Sequence, residues 1–276
     1  FLLFTFVVYG LFTLLLTGIS GFTGDQNVGA LGNLGALNTI FVIFYSGLLY
    51  AHKYIKKESF FLYTAFACFI ILLIATRKAF GAGLIMIIFV LISQVKLSFK
   101  NFGKIVVLSL IIIGGINLSL NNTTMGERFE NIEETGMKFN TTDNPSLNLL
   151  GDRVLFYIEG LSLFLERPIT GIGLNNFTKI SDSNYRIHSE YMVQLTEGGI
   201  IGSTLFLFFN LWISLNLYKS LKKNKNNRNI TLVLIGGFFA ILFINITAWT
   251  YAFAHYFACF GIIIGYLTKI PSKKVT

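Results

Sequence analysis

Charged side chains are scarce in this chain, and their scarcity limits the classes of protein it can belong to. Only 13% of its 276 residues are charged, whereas 54% are hydrophobic and the mean hydropathy is +0.67. Soluble domains carry about 25% charged residues, and disordered chains are poor in apolar ones. Both classes are therefore excluded, and the composition indicates a polytopic membrane protein.

Cysteine is also scarce, and the two residues of this type, Cys68 and Cys259, fall inside apolar segments. They are most simply small core residues, and the outer segment predicted below carries no disulfide. Residues 1–20 lack the charged start and the cleavage site of a signal peptide. Because Phe1 stands inside a hydrophobic run, we interpret the chain as part of a longer protein.

Apolar runs of about 17–22 residues, in contrast, are abundant. A helix needs roughly that length to cross a bilayer. We therefore predict an all-α polytopic membrane protein with about eight transmembrane helices. The predicted spans are 1–20, 36–52, 59–76, 79–95, 104–119, 199–218, 230–250 and 251–268.

Basic residues divide unequally between the two sides that these spans define. One side holds 14 of the 22, on loops 53–58, 96–103 and 219–229, on the tail 269–276, and at Lys104. The positive-inside rule makes this side cytoplasmic. Topology thus explains the net charge of +9, and no nucleic-acid partner is predicted.

This topology divides the chain into three parts. Residues 1–119 are predicted to form five transmembrane helices, and 199–276 three more with a cytoplasmic tail. Residues 120–198 form a large extracytoplasmic segment, with a polar loop at 120–150 and short amphipathic helices after it. Asp152 is the predicted N-cap of one helix, which runs to Arg167 and is ended by Pro168. A second short helix is predicted around His188–Glu197.

Arginine is concentrated on the outer side, where topology alone would not place it. The outer side has five Arg and three Lys, whereas the cytoplasmic side has one Arg and 13 Lys. The planar guanidinium binds phosphate or carboxylate through two hydrogen bonds. Some of these arginines must pair with the 11 acidic residues of the outer segment, but for Arg77 and Arg153 we favour phosphate. The other three are Arg128, Arg167 and Arg186.

His188 is the candidate proton acceptor of the outer segment, because histidine exchanges a proton near neutral pH. Arginines beside it would hold a pyrophosphate and stabilise its charge as it leaves. A sugar hydroxyl deprotonated by His188 would then attack an anomeric carbon. The alternative is a structural histidine that caps a helix. We assign His52 to topology, and His255 to a hydrogen bond between helices or to the site.

Four motifs stand in the order ATRKAF at 75–80, Arg153 opening an aromatic-rich helix, RPITGIGLNNF at 167–177, and His188-Ser189 followed by GIIG at 199–202. Together they resemble the O-antigen ligase/polymerase family of bacterial membrane glycosyltransferases. The resemblance covers about residues 75–205 by motif and the rest by span pattern. Members of that family usually carry more spans than these eight.

The resemblance implies a fold of the C class of glycosyltransferases in the bacterial inner (cytoplasmic) membrane, with a site that faces the periplasm or the cell exterior. Such enzymes transfer a glycan from undecaprenyl pyrophosphate to a glycan or lipid acceptor, and they use neither a metal nor another cofactor. At the matched positions, Arg77 and Arg153 would grip the pyrophosphate and His188 would activate the acceptor hydroxyl. Candidate supporting residues are Arg186, Arg167 and Ser189.

Three functions stay open at this point. We favour a polymerase that joins lipid-linked repeat units of O-antigen or capsule. The first alternative is a ligase that passes the finished glycan to lipid A core or another acceptor, since both reactions need the same His and Arg chemistry. The second is a polysaccharide transporter or flippase, which would be expected to place polar residues and broken helices at mid-membrane, whereas these spans have almost no charged residues in their interiors. A chain-length regulator and a flippase are the expected assembly partners, beside membrane lipid.

Overall fold

The computed structural model describes residues 29–74, 77–94, 153–181, 187–248 and 254–269. Within these ranges the chain is helical and contains no strand, so the all-α prediction is confirmed there. The helices are α1 (Gly29–Ala51), α2 (Lys57–Ile74), α3 (Arg77–Gln94), α4 (Arg153–Glu166), α5 (Phe177–Ile180), α6 (Glu190–Lys223), a 3₁₀ turn (Lys225–Asn227), α7 (Arg228–Thr247) and α8 (Ala254–Thr268).

Two stretches of this described chain are long and apolar enough to cross a membrane, Glu190–Lys223 and Lys225–Ile246. They support a membrane protein, while the number of eight spans stays a prediction. The predicted spans 1–20 and 104–119 and the polar loop 120–150 lie outside the described residues. Shorter apolar stretches are Ile40–Ala51, Gly81–Ser93 and Tyr256–Thr268.

The chain divides into two compact units, and the first contains α1, α2, α3, α8 and most of α7. Glycines on α7 bring its backbone close to the neighbouring helices. A Cβ atom on Gly237 would overlap the ring of Phe44 on α1, and one on Gly236 would lie 2.5 Å from the Phe89 Cβ on α3. Small residues are typical of such contacts because membrane helices gain stability by close packing.

The second unit contains α4, α5 and α6 as far as Leu215. Its apolar core is formed by five buried side chains from these helices and the segments between them. The core packs α4 and the segment around α5 against the first turns of α6, which brings the outer motifs together. The core residues are Phe156, Ile172, Phe177, Ile187 and Val193.

Helix α4 ends at Glu166, just before Pro168, which agrees with the predicted helix up to the proline. The predicted N-cap, Asp152, lies outside the described residues. The predicted short helix around His188–Glu197 is corrected in two ways. Helix α6 begins only at Glu190, so His188 precedes it, and it continues beyond Glu197 to Lys223 because its apolar run extends through the predicted span.

Candidate active site

Helix α6 is interrupted at Gly199, where φ is 61° and ψ is −159°. Glycine is nearly the only residue that adopts this conformation, because other residues carry a Cβ atom. In an unbroken helix the N–H of Ile200 would bond to the carbonyl of Thr196, and that of Ile201 to the carbonyl of Glu197. The interruption therefore leaves two donors and two acceptors without partners inside the helix.

The loop from Pro168 to Gly173 supplies partners for all four groups. The N–H of Ile200 donates to the Pro168 carbonyl at 2.8 Å, and that of Ile201 to the Ile169 carbonyl at 3.2 Å. In the other direction, the Thr196 carbonyl accepts from Ile172 N–H at 3.0 Å. The carbonyl of Glu197 accepts from Gly173 N–H, also at 3.0 Å. Two helical hydrogen bonds are thus exchanged for four between the loop and the helix.

Two glycines meet where the loop crosses the helix. A Cβ atom on Gly171 would lie 2.5 Å from the Glu197 carbonyl group, and one on Gly199 would lie 2.5 Å from the Gly171 nitrogen. The φ of Gly171 is also positive, at 67°. Both positions exclude a side chain, since the neighbouring atoms belong to backbone. The motifs RPITGIGLNNF and GIIG are therefore in direct backbone contact where the loop crosses the helix.

Glu197 holds the same loop with its side chain. One carboxylate oxygen accepts the N–H of Asn175 at 2.6 Å, and the other accepts the N–H of Phe177 at 3.3 Å. Asn175 has a positive φ of 57°, a conformation that asparagine tolerates better than most residues. Hydrogen bonds to a carboxylate are stronger than those between neutral groups. The carboxylate of Glu197 therefore anchors the loop at the start of α5.

His188 lies two residues before α6 and is half-buried. Its carbonyl accepts a hydrogen bond from the Tyr157 hydroxyl on α4 at 3.3 Å. The next residue, Ser189, is buried, and its hydroxyl donates to the Asn245 carbonyl at 3.4 Å and accepts the N–H of Met192 at 3.5 Å. Ser189 thus caps α6, and its backbone fixes the position from which His188 projects.

Helices α4 and α6 run in the same direction through this unit. Tyr157 contacts His188, and one turn later the Gly160 carbonyl accepts the Thr196 hydroxyl at 3.1 Å. Helical side chains point back toward the N-terminus, so the Tyr157 hydroxyl reaches toward the level of Arg153, the first residue of α4. The N-terminal ends of both helices therefore lie at the same end of the unit as His188. Each carries a partial positive charge, which at α6 is partly offset by the Glu190 carboxylate in the first turn.

The other predicted arginines have different positions. Arg77 is the first residue of α3 and belongs to the first unit. Arg167 is exposed directly after α4, and its carbonyl accepts the N–H of Gly171 at 2.9 Å. Arg186 and Arg128 lie outside the described residues. The second unit therefore has Arg153 at the same end of α4 as His188 and Ser189, whereas Arg167 follows the opposite end of that helix.

Two buried carboxylates in the second unit were missed as site residues by the sequence analysis. Glu190, the first residue of α6, is 1% exposed and accepts the side-chain N–H of Gln194 at 2.9 Å. Glu197, which anchors the loop, is 5% exposed. The two are seven residues apart and therefore share one helix face. The sequence signal for this pair is two acidic residues seven positions apart, directly before an apolar run.

The surface of α4 carries an exposed apolar strip. Ile158, Leu161 and Leu165 follow each other at helical spacing and are all exposed, whereas Phe156 and Gly160 face the core. A helix is therefore present where one was predicted, and its exposed apolar strip is directed away from the core of its own unit.

The described residues thus combine an all-helical fold, two stretches apolar enough to span a membrane, and a polar motif at the start of one of them. These features indicate a helical membrane protein. The sequence pattern of the O-antigen ligase family matches residues 62–207, just over half of the chain, and the chain belongs to that family. Membership implies a glycosyltransferase-like activity that uses lipid-linked glycan and acceptor substrates in general. No curated protein matches the chain.

Proposed function

We propose that this protein is a membrane glycosyltransferase that polymerises surface polysaccharide carried on undecaprenyl pyrophosphate. The repeat units would belong to an O-antigen or a capsule, and the reaction would take place on the extracytoplasmic face of the bacterial inner membrane. The observation that carries the proposal is the shared position of His188, Arg153 and the N-terminal ends of α4 and α6.

In the proposed reaction, the His188 imidazole takes the proton from the acceptor hydroxyl. The hydroxyl oxygen forms a bond to the anomeric carbon of the donor while the bond from that carbon to the pyrophosphate breaks. The leaving undecaprenyl pyrophosphate gains negative charge, which Arg77 and Arg153 stabilise by bidentate hydrogen bonds. No metal or other cofactor takes part.

The exposed apolar strip of α4 supports a donor that is bound to lipid. Ile158, Leu161 and Leu165 would enter the acyl-chain boundary of the outer leaflet, as in helices that lie in a membrane interface. The helix would then hold its N-terminal residue, Arg153, at the depth of the phosphate groups. A pyrophosphate joined to a polyprenyl chain lies at that depth.

A ligase is the second candidate, because the family description names that activity. A ligase would pass the finished glycan to lipid A core or another acceptor with the same residues in the same roles. A transporter or flippase is the third candidate, and it requires no proton acceptor at His188. Chain-length regulators and flippases are the partners expected for a polymerase.

The test compares glycan ladders from cells that lack the gene and are complemented with wild type, His188→Ala or His52→Ala. We expect His188→Ala to leave a single capped repeat unit, and the exposed His52→Ala to restore the ladder. Loss of surface-attached glycan while long lipid-linked chains accumulate would identify a ligase. A normal ladder with His188→Ala would refute the mechanism.

The proposed orientation and the division into 1–119, 120–198 and 199–276 have a separate test. Single cysteines at the exposed positions Lys179 and Asn226 should react differently with a membrane-impermeant thiol reagent. We expect labelling of Lys179→Cys in intact cells, and of Asn226→Cys only after permeabilisation. The opposite pattern would invert the topology and contradict a site on the outer face.

A further inference from the structure

Five cations lie on the short connection between α6 and α7. All five are exposed, and they fall within ten consecutive residues. The sequence has no Asp or Glu after Glu197, so no acidic residue in this part of the chain balances them. The cluster, called here the basic turn, consists of Lys219, Lys222, Lys223, Lys225 and Arg228.

The basic turn stands on a rigid support. Its centre is a single 3₁₀ turn at Lys225–Asn227, which keeps the ends of α6 and α7 together. Below it, the Thr231 hydroxyl lies 3.3 Å from the Ser220 hydroxyl and 2.8 Å from that of Tyr266 on α8. Thr231 and Ser220 are buried, so this network joins three helices in an apolar setting where hydrogen bonds are strong. The backbone positions that carry the cations are therefore fixed.

The basic turn joins the two stretches that, among the described residues, are long and apolar enough to span a membrane. A turn between two such spans lies at the depth of the lipid headgroups. Tyr218, one helical turn before Lys222, is 53% exposed, and the Lys222 ammonium lies 4.5 Å from the centre of its ring. Exposed tyrosine with lysine is typical of the boundary between acyl chains and water.

We propose that the basic turn binds the phosphate headgroups of anionic phospholipids. The proposal goes beyond glycan transfer and does not depend on it. Each Lys or Arg near an anionic bilayer raises affinity about five-fold. Because the backbone of the turn is already ordered, lipid binding costs side-chain freedom but little backbone freedom.

The experiment measures which lipids stay bound to the purified full chain, by native mass spectrometry after equilibration with equal amounts of phosphatidylglycerol and phosphatidylcholine. The variant Lys222→Gln/Lys223→Gln/Lys225→Gln removes three charges from the basic turn. The matched control, Lys53→Gln/Lys56→Gln/Lys57→Gln, removes three exposed charges from the connection between α1 and α2. Size-exclusion elution verifies that each variant is folded.

We expect the basic-turn variant to retain at least ten-fold less phosphatidylglycerol than wild type, and the control less than two-fold less. Retention of phosphatidylcholine should be equal in all three proteins. Inorganic phosphate at ten-fold excess should not displace the lipid, because it lacks acyl chains that hold it at the bilayer boundary. Equal losses in the two variants, or displacement by inorganic phosphate, would overturn the proposal.

Discussion

Replacing Gly199 by alanine would place a methyl group inside the crossing between the Pro168–Gly173 loop and α6. That methyl group would lie 2.5 Å from the Gly171 nitrogen and from the Ile169 carbonyl oxygen. Both contacts are to backbone, so no side-chain rotation relieves them. The φ of 61° is itself unfavourable for alanine.

The cost follows from the hydrogen bonds that the crossing contains. A left-handed conformation costs a non-glycine residue about 1–2 kcal/mol. If the loop withdraws, four bonds are lost and the straightened helix regains two. Each net hydrogen bond contributes about 0.5–1.5 kcal/mol, so the difference is about 1–3 kcal/mol. The two costs belong to alternative outcomes, a strained kink or a withdrawn loop, so Gly199→Ala should lose about 1–3 kcal/mol of unfolding free energy.

The assay is thermal unfolding of the purified protein in detergent, together with glycan transfer in cells. Gly198→Ala is the matched control, because its Cβ atom would make only ordinary van der Waals contacts, with the Gln194 side-chain oxygen at 3.7 Å and the Ser203 nitrogen at 3.9 Å. A helical glycine replaced by alanine gains about 0.5–1 kcal/mol. We expect Gly199→Ala to lower the unfolding temperature and the transfer activity, and Gly198→Ala to lower neither. Equal behaviour of the two variants would refute the role of the crossing.

The remaining predictions concern single side chains. Arg153→Lys should reduce glycan transfer at least ten-fold without reducing membrane insertion, since an ammonium group cannot make two parallel hydrogen bonds; full activity would contradict this. Glu197→Gln leaves one oxygen acceptor for the two N–H groups of Asn175 and Phe177, and should therefore cost about 1–3 kcal/mol of unfolding free energy. The matched control is the exposed Glu166→Gln, which should leave the unfolding temperature unchanged. Gly237→Leu should lower that temperature through overlap with the Phe44 ring, whereas Gly265→Leu, with no atom within 4 Å, should not; a similar drop in both would contradict the packing argument.

Much of this structure could be predicted from local patterns, and the rest depends on distant contacts. The end of α4 near Pro168 followed from the chemistry of proline, and the apolar runs identified α6 and α7 as candidate spans. The sequence analysis placed His188 inside a helix, because the sequence does not show that Ser189 is the N-cap of α6.

The role of Glu197 could not be predicted either. Its partners, Asn175 and Phe177, precede it by 22 and 20 residues, and nothing in the local sequence specifies that pairing. The same holds for Gly171 and Gly199, whose motifs were recognised separately. Only the folded backbone shows that the two glycines are in contact, so that a side chain at either position would overlap the backbone around the other.

The crossing also couples two segments that are distant in the sequence. The Pro168–Gly173 loop pairs four backbone groups of the kinked α6, whereas a straight α6 would recover only two hydrogen bonds by itself. The kink at Gly199 and the position of the loop therefore form a single conformational state, in which a displacement of the loop changes the direction of α6.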